Sequence, residues 1–515
     1  MVDHIRSCYC NREARDQVLA EYEQFTSQQI AKKIANQDRG LGKKSREEID
    51  GLILTFIGQN ALPFSIVGSS SFRRLLSALD SRYQMVSVGA LAYRLAPERA
   101  RKYSRELMDE IRAGKDFSNT LEFDGWTSNS GQSVLAIVVT RPTGKAALLD
   151  LVDISADPHT GEYISETAIK SIQTSGIELS KLNAIISHEA SNCKLARRLL
   201  TEEDEFSHLI EYRCLSHVFN LIGASISKDP TIRRLLEKVL DLIAIISRNK
   251  PLAMAIVQAG GGKVVRPVPT RWYSTCSAIN SVIKIKPVML GLQNHDCYAS
   301  NRWLPILEDA RLWNGLSELK IYFDRLSSMI GSSEARDSSL ANATRAMLEF
   351  GYFIFKGAHH NRMYINTVQA AFVNHFFRTD IDLLLAAYVM DPNLRVGWLT
   401  DVAIHRALRR VVEIVIQSRE DVGSHDADAE RSFSDALGSE FARYVAKAKR
   451  VSDPVCDVAD FWSKSRDFLI IKQAGYRLAL CRSSSANTER IFSALGRICV
   501  PSRNRLSIDL MFIGK

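Results

Sequence analysis

The chain has 515 residues, 46% hydrophobic and 24% charged; this excludes a disordered polyelectrolyte and exceeds what one compact core usually holds, so two or three domains are expected. The formal charge of +9 favours a polyanionic partner only mildly, since a basic protein without such a partner carries the same number. Nine scattered cysteines exclude a secreted disulfide framework, and neither an apolar leader in Met1-Val2-Asp3-His4-Ile5-Arg6 nor an uncharged run of roughly 18–20 residues is present, so the expectation is an intracellular protein with no membrane partner.

In chain order, residues 12–36 read as a polar helix with Val18, Leu19, Tyr22 and Phe25 on one side. Ile49, Leu52, Ile53, Phe56 and Ile57 recur at helical spacing, and Leu62-Pro63 ends that segment. Ser69-Ser70-Ser71 can cap a helix carrying Phe72, Leu75, Leu76 and Leu79. Residues 92–115 are again helical and highly charged. Residues 12–117 thus make a small N-terminal helical region.

The period then changes. Leu121 to Trp126 predicts a strand, and Val134 to Val139 a second, nearly continuous apolar strand with both faces covered. Arg141-Pro142-Thr143-Gly144 is a turn leading to a third strand, Ala146 to Ile154. A helix over Ile164 to Ile172, a strand over Ala184 to Ser187, a helix over Ala190 to Leu200 and a fifth strand over Leu209 to Cys214 follow. The order β-β-β-α-β-α-β predicts an α/β fold with a hairpin-led mixed sheet. From about residue 216 the pattern is helical, with Ile232, Leu235, Leu236, Val239, Ile243 and Ile246 on one stripe. Gly260-Gly261-Gly262 interrupts it, and the polar stretch 418–430 reads as a loop.

Two segments carry the chemistry. Leu121-Glu122-Phe123-Asp124-Gly125-Trp126 places Asp124 within an apolar strand, where a charge is costly unless paired or metal-bound. Ser483 to Ser493 places Glu489 on a helix expected to pack on the same sheet. Carboxylates converging from distant parts of a chain suggest a Mg²⁺ site for phosphoryl transfer on nucleic acid; a hydrogen-bonded structural Asp at a strand end is the equal alternative for Asp124 from spacing alone.

These residues resemble the hAT-type DNA transposases and their domesticated relatives. Six segments match in order: Leu62 to Val67 with Phe72 to Leu76; Asp124-Gly125-Trp126-Thr127-Ser128; Arg213-Cys214-Leu215-Ser216-His217; Thr270-Arg271-Trp272-Tyr273-Ser274; Ala386 to Pro392; and Ser484 to Gly496 followed by Arg503-Asn504-Arg505-Leu506-Ser507. The resemblance implies an RNase H-like core (118–222 and 466–515) split by a large all-α insertion (223–465), with the last segment also serving dimerisation. It implies two Asp and one Glu binding two Mg²⁺ or Mn²⁺ ions, DNA as partner, a homodimer or higher homo-oligomer, and a nuclear location.

Asp124 matches the first metal ligand and Glu489 the third. The second Asp is missing: Ser187-His188-Glu189-Ala190-Ser191-Asn192 puts His188 at its position. Imidazole suits softer metals better than Mg²⁺ and removes a negative charge. Either His188 or Glu189 then fills the damaged place, although adjacent residues of an extended chain point to opposite faces. Cutting is therefore expected to be impaired. The alternatives are a domesticated, non-catalytic DNA- or chromatin-binding dimer and a relic without function. The resemblance also implies DNA contacts for His217, Arg271 and Trp272; an exposed Trp beside Arg can stack on a base, and a core Trp is the competing reading. Cys214 and His217 have half of a zinc spacing, and His4 and Cys8 resemble the last two ligands of a BED-type finger, a remnant over 1–11; two ligands cannot close a tetrahedral site, so no zinc is expected.

Overall fold

The structure is a computed structural model. It describes residues 45–60, 62–80, 83–127, 131–268, 272–292, 303–357, 362–418, 427–448 and 455–498. The expected helix over 12–36, the finger remnant at His4 and Cys8, Ser128, Thr270, Arg271 and the segment 499–515 lie outside these residues. The chain divides into two compact units between Arg101 and Lys102.

In the first unit, the helix Arg46–Gln59 starts at a full capping box, with Ser45 and Glu48 satisfying each other's backbone N–H. Ser69 caps the helix Ser70–Leu79 by accepting from Phe72 N–H. Ile53, Ile57, Val67, Val86 and Leu91 make its small core, and Asp50, buried, accepts from the Tyr83 hydroxyl.

The second unit is built on a mixed five-stranded sheet in the order β3-β2-β1-β4-β5, formed by β1 (Asn119–Thr127), β2 (Ser133–Thr140), β3 (Ala146–Asp153), β4 (Leu182–Ser187) and β5 (Ile210–Arg213). β1, β2 and β3 pair antiparallel, whereas β4 lies parallel to β1 and β5 parallel to β4. Parallel neighbours need a crossover. The helix Gly161–Ser175, capped by Thr160 and ended by Gly176 at φ 65, and the helix Ser191–Glu202 supply two. Every residue of β2 is buried, as its continuous Val/Ile/Leu run requires.

Alternation along β1 sends Leu121 and Phe123 to one face, where they join Ile137, Ile164, Ile172, Ile185 and Leu200. Glu122, Asp124 and Trp126 therefore belong to the other face. Among the described residues, every helix or strand after β5 is a helix. Their core is continuous with Ala184, Ile186 and Tyr212 of the sheet. The stretch 418–430 corrects one expectation: its last residues open the helix Ala427–Ala448 rather than forming a loop.

A buried arginine ties sheet and helices together. Arg477, on the helix Lys472–Ala479, donates to Asn183 Oδ1 at 3.0 Å, the Asn183 carbonyl at 3.2 Å, Ser418 Oγ at 2.8 Å and the His208 carbonyl. Its guanidinium also lies 4.7 Å from the Phe117 ring centroid. Spreading its donors over neutral acceptors satisfies the charge without a carboxylate.

Candidate functional site

The helix Ala486–Ile498 packs on β1 and β2 and meets the polar face of β1 in three successive steps. Asn487 Nδ2 lies 3.4 Å from Glu122 Oε1. Asp124 and Glu489 meet through His188. Trp126 stacks on Phe492 with ring centroids 6.0 Å apart. The two-residue period of the strand and the turn of the helix thus run side by side.

Parallel pairing of β1 with β4 brings in His188. Phe123 is registered with Ser187, and one step further along both strands puts His188 beside Asp124. His188 Nδ1 is 3.6 Å from Asp124 Oδ2, and Nε2 is 3.3 Å from Glu489 Oε1. Its ring centroid lies 4.7 Å from that of His217. The backbone here is held by Arg197, only 2% exposed, which donates to Ser187 Oγ at 2.5 Å and to the His188 carbonyl at 3.0 Å.

Electrostatics follow from burial and these partners. Burial pushes the Asp124 carboxyl up, against the pull of His188 and of the Gly125 N–H. Burial alone would lower the His188 imidazole; the hydrogen bond to Glu489 and the charges of Asp124 and Glu489 outweigh it and raise the pKa. His217 goes the other way, to about 4, through burial and then the neighbouring His188 and Arg213.

Glu189 is drawn elsewhere. Its Oε2 lies 3.0 Å from Arg213 Nε and 3.8 Å from Arg197 Nη2; the closer approach is an ion pair without hydrogen-bond alignment. The side chain is therefore engaged on the arginine side rather than facing Asp124, as alternation from His188 requires.

The expectation of an exposed, base-stacking Trp272 is corrected. Trp272 is 8% exposed and packs edge-on against Phe323 at 4.6 Å. Its indole N–H donates to Ser227 Oγ at 2.9 Å, and the ring lies so close to Gly223 that a Cβ there would come within 2.2 Å of it. It anchors the helical core. Arg271, its neighbour, lies outside the described residues. Cys214 accepts from the Ser485 N–H at 3.4 Å, and burial pushes its thiol up to about 11.

Sequence reading missed Glu122. It is fully buried, its pKa raised to about 7 by burial against the hydrogen bonds from Thr140 and Asn487, and its Oε2 has no hydrogen-bond partner. The available signal was its place two residues before Asp124, on the same face of the strand.

The resemblance implies two divalent ions held by three carboxylates, and the donor set does not fit them. Asp124 and Glu489 each face a nitrogen of one imidazole, and Glu189 is taken by arginines. Among the described residues, no group of three or more His, Cys, Asp or Glu side chains is arranged to hold a metal ion.

Comparison with known proteins adds a family. Residues 102–242 match the family described as a domain of unknown function (DUF659). That domain is transposase-related and of hAT type, so the match supports a hAT-like, transposase-derived chain. It spans all five strands, with Asp124, His188, Glu189 and His217 inside it and Trp272 and Glu489 beyond it. A comparison with curated proteins found none that matches. Among the described residues no helix is long and apolar enough to cross a membrane.

Proposed function

We propose that this chain is a hAT-like, transposase-derived protein that binds DNA and self-associates in the nucleus, on an RNase H-like core whose strand-cutting chemistry is impaired at His188. One observation carries the reading: Asp124 on β1 and Glu489 on the Ala486–Ile498 helix, far apart in sequence, meet at one point beside the end of β4. A hairpin-led sheet, followed by two parallel strands and then by helices, is the scaffold such a centre requires. The transposase-related match over 102–242 and the net charge of +9 agree with a DNA partner.

Impairment follows from charge. Two-ion phosphoryl transfer needs anionic oxygens around about four positive charges. Here one of the three ligand positions holds an imidazole, and Glu189 is committed to Arg213 and Arg197. The core can thus keep its shape and its DNA contacts after losing the chemistry.

The test is electrophoretic DNA binding across a salt series, with nicking of supercoiled plasmid in Mg²⁺ or Mn²⁺ by wild type and His188→Asp. The expected result is binding that weakens linearly on a log–log salt plot, no nicking by the wild type and nicking by His188→Asp. Equal nicking by both would refute the impairment. No binding at low salt would refute the DNA-binding reading.

A further inference from the structure

We propose that the imidazole of His188 stands in for a cation between Asp124 and Glu489: a bridge made of protein that fastens the Ala486–Ile498 helix to β1 and excludes a divalent ion. The inference rests on reading the two carboxylates as a former metal pair, and it assigns the position a structural duty rather than mere loss.

The geometry argues for it from both sides of the ring. Nδ1 faces Asp124 Oδ2 at 3.6 Å and Nε2 faces Glu489 Oε1 at 3.3 Å. Mg²⁺ needs its oxygens at about 2.0–2.1 Å in near-octahedral array. An ion that reached both carboxylates would have to displace the ring that lies between them.

The ring is not placed to step aside. Arg197 pins the His188 carbonyl and Ser187 Oγ beneath it, and the His217 ring lies against it. No third carboxylate stands ready, because Glu189 is held by Arg213 and Arg197.

The bridge also answers a packing need. Two carboxylates facing each other at a mostly buried junction repel unless something cationic or hydrogen-bonding lies between them. The contacts on either side, Glu122 with Asn487 and Trp126 with Phe492, hold strand and helix in register. His188 supplies the middle contact of the three, where a metal-dependent relative would use the ion.

The experiment uses the full chain and needs no DNA. Mn²⁺ uptake is followed by loss of the free-ion paramagnetic resonance signal, and melting temperature is measured in EDTA, Mg²⁺ and Mn²⁺. The expected wild type takes up no Mn²⁺ that depends on Asp124 and melts at one temperature in all three solutions. His188→Asp is expected to bind Mn²⁺ and to gain a melting shift that grows with the logarithm of ion concentration. Wild-type uptake that disappears in Asp124→Asn would overturn the proposal, as would a His188→Asp chain indifferent to both ions. If His188→Asp fails to fold, the wild-type uptake decides alone. A failure to bind DNA would count against the function proposed above and would leave this result readable.

Discussion

Glu122 shows how a single buried group sets a pH dependence. Its carboxyl has an ordinary value of 4.5 and sits at about 7 in the fold, because burial outweighs the bonds from Thr140 and Asn487. A raised folded-state pKa means that the folded protein holds a proton the unfolded chain has released. Its contribution is fully present below pH 4.5 and is lost as pH rises through about 7, on the order of 3 kcal/mol in all. Glu122→Gln keeps the shape and removes the titration. Urea unfolding at pH 5 and pH 8 should therefore show a fall in stability in the wild type that is markedly smaller in Glu122→Gln; equal falls would place the titration elsewhere. This residue was visible in the sequence only as a neighbour of Asp124, because nothing local says that an orphaned oxygen will result. Asp124 and Glu489 were legible because their motifs and the two-residue strand period agree. The engagement of Glu189 with two arginines was not, since Arg197 and Arg213 reach it from a helix and from the next strand.

Secondary structure over 119–215 was legible because its periods are clean. Each of the five expected strands occurs within a residue or two of its reading, since hydrophobic runs and turn residues define both ends. Trp272 was not legible in the same way: an Arg-Trp pair after prolines reads as exposed, and only the approach of Gly223 on the helix Leu215–Ser227 decides that the ring is buried. Gly223→Ala tests this packing. Helix propensity would favour alanine by about 1 kcal/mol, but the added Cβ would meet the Trp272 ring at 2.2 Å, and overpacking costs about 1–3 kcal/mol. Net destabilisation in chemical denaturation is expected; a stabilised variant would show that the two helices do not pack this closely. The helix Lys472–Ala479 offers a second test. Arg477→Leu fills much of the volume but orphans the Asn183 and His208 carbonyls, at about 1–3 kcal/mol each. A loss of about 3 kcal/mol or more is expected, and a loss under 1 kcal/mol would contradict the joint described for Arg477.

At the scale of the whole molecule, the larger unit is one core whose sheet is completed by residues from both ends of its sequence. Local patterns gave the helices and strands of this unit, but no local pattern says that a helix near residue 490 covers a strand near residue 120. That placement came from the resemblance, and its physical cause is now visible in the polar face of β1, where Glu122, Asp124 and Trp126 leave a surface only a matching helix can satisfy. If the meeting is real, residues at its two ends must be energetically coupled. The most direct measurement is a double-mutant cycle in chemical denaturation with His188→Ala, Glu489→Gln and the double variant. The account predicts a coupling between about 0.5 and 3 kcal/mol, the range of side chains in contact. Effects that simply add, within about 0.3 kcal/mol, would mean that His188 and Glu489 do not touch, and the site built around them would fall.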